Sequence, residues 1–158
     1  MTFDDPEVAA NMGYGYGFFA PGVADSGVND YIVSTNIIKA HAAAYKSYKA
    51  NYTGQLGISL TGNWMEPMDE FSPEDWYASD RAMQFSLGWF ASPIFGSGDY
   101  PQVMKDIIGD RLPMFSDEEM ADIKGNATLT LRYHFVNHYC ITAIISKPYN
   151  SFPCFVRN

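Results

Sequence analysis

The chain has 158 residues, room for one ordinary domain with a core of its own. Hydrophobic residues make up 47% of it and aromatic residues 16%, a composition that argues against disorder over most of its length. The net charge of −8 comes without any Lys/Arg cluster, which argues against nucleic acid or an anionic membrane as partner, and no apolar run approaches the ~20 residues of a membrane span.

Thr2-Phe3-Asp4-Asp5-Pro6 opens the chain as a β-branched and aromatic pair, two carboxylates and a proline. Thr2 and Phe3 suit the end of a strand, and Pro6 allows no ladder bond after it. Neighbouring strand residues point to opposite faces, so Asp4 and Asp5 cannot do the same work. Residues 7 to 29 read as a loop punctuated by Gly13, Gly15, Gly17, Pro21, Gly22 and Gly27. Gly13-Tyr14-Gly15-Tyr16-Gly17 would need a helix straight after it to cradle a phosphate, and Phe18-Phe19-Ala20-Pro21-Gly22 is a poor helix start.

Asn29 or Asp30 can cap a helix running to about Tyr48, with Ile38, Ala42, Tyr45 and Tyr48 on its apolar face. His41 has no acid or cysteine at ligand spacing and reads as a packing histidine. After Gly54, residues 55 to 61 alternate as a short strand, and helix followed by strand is the unit of a parallel α/β architecture. Asn63, Trp64 and Glu66 beyond it are either rim positions of a site or a plain turn. Ser72-Pro73-Glu74-Asp75 is a helix start, and Trp76, Met83, Leu87 and Phe90 carry that helix to a stop before Pro93. Glu74, Asp75 and Asp80 suit dipole-stabilising or solvated charges. Ser116-Asp117-Glu118-Glu119 is a capping box, and residues 128 to 135 alternate as a half-buried strand.

Cys140 and Cys154 neither form a metal spacing nor prove a disulfide. Asn51-Tyr52-Thr53 and Asn126-Ala127-Thr128 are glycosylation sequons of the kind that arise by chance. The first residues carry no basic region and apolar core of a signal peptide. The compartment is left open, an extracellular one included.

The opening segment, with Gly13-Tyr14-Gly15 and Ala20-Pro21-Gly22, resembles the Thr-Phe-Asn-Glu-Pro region of family 1 glycoside hydrolases, the β-glucosidase, lactase and myrosinase relatives. Ala40-His41-Ala42, Asp80-Arg81-Ala82, Leu87-Gly88-Trp89-Phe90, Gly98-Asp99-Tyr100-Pro101 and Arg111-Leu112-Pro113-Met114-Phe115 follow in that family's order, and Asn137-His138-Tyr139 matches the Asn-x-Tyr that ends its sixth strand. The resemblance implies an α/β fold, a partial (β/α)8 TIM barrel holding about strands 4 to 6 with their helices. Residues 1–158 would form one partial domain, with 140–158 a poorly matching tail. A whole barrel takes ~250 residues, and an incomplete sheet leaves strand edges that favour aggregation.

The resemblance further implies retaining hydrolysis of β-linked O-glycosides, with a small-molecule β-glucoside or oligosaccharide as partner and no metal or cofactor. Asp5 takes the place of the family's acid/base Glu, and Asp4 that of its sugar-binding Asn. Tyr139 takes the nucleophile-orienting position, and Asn137 lies near the carboxyl pair. Retaining hydrolysis sets two carboxyls roughly 5–5.5 Å apart across the glycosidic bond. Asp in place of Glu withdraws the carboxyl by about 1.5 Å, one carbon–carbon bond. Asp in place of Asn exchanges an amide donor for an acceptor. No Glu of the sequence sits in the family's Thr-Glu-Asn-Gly nucleophile setting. The chain alone is therefore expected to be inactive, an incomplete or degenerate copy; the alternative is a catalytically dead sugar-binding module or one that docks on a homologue.

Overall fold

In the computed structural model, which describes residues 1–125 and the backbone of 141–143, the extended start of the chain lies parallel to residues 57–59. The Thr2 N–H donates to Gly57 O at 2.8 Å, the Ser59 N–H to Phe3 O at 3.0 Å and the Asp5 N–H to Ser59 O at 3.2 Å. Two parallel strands need a long crossover between them. Here residues 6–56 supply it, and their main element is α2 (Asn29–Asn51). Residues 57–59 lead into β1 (Leu60–Gly62), which also pairs antiparallel with β2 (Ile141–Ala143), Thr61 opposite Thr142. That pairing differs from the all-parallel order of a barrel. β2 meets β1 at its far end, Ile141 opposite Gly62, and runs back along it, so no crossover to the start of β1 is required.

The core is built where α4 (Leu87–Phe95) crosses behind the strands. Gly88 to Ile94 are all buried, as expected of a helix that is apolar all round. It packs against α2, β1, α3 (Pro73–Phe85) and α6 (Asp117–Ile123). Phe90 and Ile94 share one cluster with Ile38 and Ala42 of α2, Ile58 just before β1 and Leu60 within it, Met104 and Ile108 of α5 (Gln102–Ile108), and Ile123 of α6. Each side chain of this size contributes about 1.5–3 kcal/mol by leaving water. Tyr100 joins the cluster with its hydroxyl on Thr35 Oγ1 at 2.7 Å. Thr35 already gives its own hydrogen to Tyr31 O, so Tyr100 is the donor of that pair.

Several local expectations change. Residues 7–15 are not loop: α1 (Pro6–Val8) runs into a π-helical turn over Ala9–Gly15, because Pro6 at the first helical position fixes the right backbone angle for a helix start. Neither Asn29 nor Asp30 caps α2 with its side chain. The buried Asp30 carboxylate instead accepts the Gly27 N–H and the Tyr31 N–H, closing the preceding loop. The helix begun at Ser72 breaks at Ser86, and α4 continues through Pro93 to Phe95. Pro93 removes one internal bond, and the packing of α4 on four neighbours holds the helix across that gap. The expected strand over 128 to 135 lies outside the described residues.

Candidate active site

Asp5 ends the extended segment in a left-handed conformation, φ 46° and ψ 59°, which aspartate tolerates better than most residues. Its backbone oxygen accepts the Ala9 N–H at 3.2 Å, and so opens the helical turn that follows. Its carboxylate accepts the Thr61 hydroxyl hydrogen from β1. The ends of two neighbouring strands thus meet at one carboxyl group. Asp4, opposite Ser59, is exposed, while Asp5 is half-buried; the adjacent acids occupy different surroundings.

A third carboxyl stands beside them. Glu7, in the first turn of α1, is half-buried, and the Ser86 hydroxyl donates to its Oε2 at 3.3 Å. Burial pushes the Glu7 carboxyl above the ordinary glutamate range; Ser86 draws it part of the way back, and the Asp5 charge pushes it up again. Ser86 sits at the break between α3 and α4, against the end of β1. A Cβ on Gly62 would come within 3.2 Å of Ser86 Oγ and of Leu87 Cβ, tighter than ordinary contact, so glycine lets the strand end and the helix break approach this closely without displacing either.

Sequence patterning gave no reason to single out Thr61 or Ser86, and Glu7 was not singled out. For Glu7 a signal existed: Pro6 after a cap residue marks a helix start, and that places Glu7 in the same turn as Asp5. Thr61 and Ser86 come to the site through tertiary contacts across 56 and 79 residues of chain. Beyond β1, Asn63, Trp64 and Glu66 are exposed on a segment held by the Ser79 hydroxyl, which donates to Met65 O at 2.5 Å. Tyr16, Phe18 and Phe19 are exposed on the loop before α2, with the Tyr16 and Phe18 rings 6.1 Å apart. Gly13 and Gly15 lie inside the π-helical turn rather than before a helix, so they make no phosphate cradle. Asn137 and Tyr139 lie outside the described residues. Among the described residues no cluster of three or more His, Cys, Asp or Glu could hold a metal ion, and no helix is long and apolar enough to cross a membrane.

The family model for glycosyl hydrolase family 1 matches residues 1–154. The chain is 44% identical to the lactase-like protein of Homo sapiens over 153 residues, covering 88% of this chain and 27% of that protein. It is 42% identical to beta-glucosidase 1B of Phanerodontia chrysosporium over 140 residues, 80% of this chain and 26% of the relative. Among solved structures, a GH1 beta-glucosidase from the fungus Humicola insolens in complex with glucose superposes with a TM-score of 0.76 at 40% identity, over 80% of this chain and 29% of that one. The chain thus spans a little over a quarter of the length of the curated relatives it matches.

Proposed function

The chain belongs to glycosyl hydrolase family 1, and from that premise we propose that it forms the part of a retaining β-glycosidase barrel that carries strands 4 to 6 and the acid/base end of the sugar site. The observation that carries this reading is Asp5, which ends a strand-like segment paired parallel to the next one and is bonded to Thr61 of that neighbour. In a β/α barrel the carboxyl ends of the strands are where chemistry is placed. The substrate is a β-linked O-glycoside. Asp5 occupies the position that protonates the leaving oxygen, and Asp4 the position that touches the sugar. Asn137 and Tyr139 keep the roles that the resemblance gives them, near the carboxyl pair and on the nucleophile.

These 158 residues alone turn over glycosides negligibly. Retaining hydrolysis needs a second carboxyl as nucleophile, and no Glu of the sequence has the family's nucleophile setting. The shorter Asp5 adds a second loss, since misplacement of a reacting group by about 1 Å can cost on the order of a hundredfold in rate. The test carries this segment in a complete barrel with a Glu nucleophile and compares Asp5 with Asp5→Glu on an aryl β-glucoside. Turnover should rise by roughly the same hundredfold. Equal or lower turnover in the Asp5→Glu protein would remove Asp5 from the acid/base position. Saturable glucoside binding by the 158-residue chain without hydrolysis would support the sugar-binding alternative.

A further inference from the structure

α2 ends on Asn51, the first residue of the sequon Asn51-Tyr52-Thr53. A sequon by itself is a chance-level signal. What it needs besides is an asparagine with room for a bulky, hydrated group once the chain has folded. Asn51 has that room. It is exposed, and so are Lys49 and Ala50 before it and Tyr52, Thr53, Gly54 and Gln55 after it. The Tyr52 N–H closes the last helical turn on Tyr48 O at 2.8 Å, and the backbone then becomes extended at φ −140° and ψ 150°. The Tyr48 and Tyr52 rings stack with centroids 5.1 Å apart, and the Lys49 ammonium donates to Gly54 O at 3.0 Å. None of these contacts uses the Asn51 side chain. Its Nδ2 donates to Ser47 O at 2.8 Å on the exposed helix surface, and a primary amide has a second hydrogen to give up while that bond is kept.

The position also leaves the candidate site open. Thr2, at the start of the extended segment, bonds His41 in the second half of α2 at 2.7 Å, and the chain enters the neighbouring segment at Gly57 soon after Asn51. Asn51 therefore lies on the side of the strand starts, whereas the bond between Asp5 and Thr61 joins the strand ends. We propose that Asn51 is a modification site, the acceptor of an N-linked oligosaccharide when the chain passes through a secretory lumen. Nδ2 attacks C1 of the first sugar of a polyprenyl diphosphate oligosaccharide. The N–C1 bond forms as the bond from C1 to the diphosphate oxygen breaks, Nδ2 loses one proton, and the lipid diphosphate leaves. The proposal does not depend on the role of Asp5. The other sequon, Asn126-Ala127-Thr128, lies outside the described residues.

The experiment produces the whole chain behind a cleavable secretion leader in a eukaryotic cell. Enzymatic release of the glycan in heavy-oxygen water turns an occupied asparagine into a labelled aspartate, which peptide mass spectrometry locates. Membrane fraction and medium are both read, because transfer precedes export and a retained chain still gives an answer. Most of the translocated chain, identified by its cleaved leader, should carry the label at Asn51, and Asn126→Gln should not remove it. Thr53→Ala should lose the label while Thr53→Ser keeps it, since the transfer reads the hydroxyl at that position. An unlabelled Asn51 in the translocated chain would overturn the proposal. Melting curves test the room on the folded surface: the glycosylated chain and the same chain made in bacteria should coincide. A glycosylated chain that melts well below the bare one would overturn the placement, and occupancy alone decides if the chain shows no melting transition.

Discussion

The Thr61 hydroxyl donates its hydrogen to the Asp5 carboxylate, so two neighbouring strand ends are tied by side chains as well as by the backbone bond from the Asp5 N–H to Ser59. Thr61→Val keeps the shape and the β-branch but removes that donor. Hydrogen bonds to charged groups contribute more than neutral ones, yet Asp5 is only half-buried, so water replaces part of the loss. A destabilisation of about 1 kcal/mol is expected from urea unfolding. An unchanged midpoint would mean that the bond adds nothing to stability.

The backbone of Asp5 makes a separate demand. At φ 46° and ψ 59° a β-branched side chain clashes, and the left-handed conformation costs such residues about 1–2 kcal/mol. Asp5→Val should therefore lose about 2–3 kcal/mol, the backbone penalty together with the Thr61 bond. Asp5→Asn tolerates the same conformation and can still accept from Thr61, so it should stay within about 1 kcal/mol of the wild type. Equal losses in the two variants, read from the same urea curves, would show that the backbone at this position relaxes.

The two serine-capped helix starts were legible in the sequence, because a cap is a local contract between residues three apart, whereas the start at Pro6 read as loop and the expected cap by Asn29 or Asp30 is not made. Ser72 accepts the Asp75 N–H at 3.2 Å, and Ser116 with Glu119 forms the complete reciprocal box. Ser72→Ala should cost about 1 kcal/mol in thermal or urea unfolding, the usual worth of a serine cap. No measurable loss would mean that the first turn of α3 is held by its Pro73 start and its packing alone.

His41 was legible for a similar reason: without partners at ligand spacing it read as a packing residue, and it is fully buried with Nδ1 2.7 Å from Thr2 Oγ1. Pro93 misled the sequence reading, since a local rule that stops helices yields to burial on several sides. Asp5 stood out through its resemblance to a known motif, whereas Glu7 acquires its meaning from Ser86 and from burial, and neither leaves a trace in the local pattern.

Glu7 and Glu119 should respond to pH in opposite directions. Burial raises the Glu7 carboxyl above its ordinary value, so its contribution to stability is complete below that value and is lost as pH rises through the raised one. Its charged form is the costly one in the fold. Glu7→Gln removes that charge, so the variant should melt above the wild type at neutral pH, and the gap should close on acidification below the ordinary glutamate range. For Glu119, the Lys39 ammonium at 2.7 Å and the Ser116 N–H lower the carboxyl instead. Its contribution is present above the ordinary glutamate value and fades as pH falls through the lowered one. Glu119→Gln should melt below the wild type at neutral pH and converge with it in acid. Because Glu119 is exposed to solvent and salt, its gap should also shrink at high ionic strength, which the Glu7 gap should resist. Melting curves at several pH values, at low and high salt, test both at once. A Glu7→Gln protein less stable than the wild type at neutral pH would mean that the Ser86 bond outweighs the cost of burying the charge.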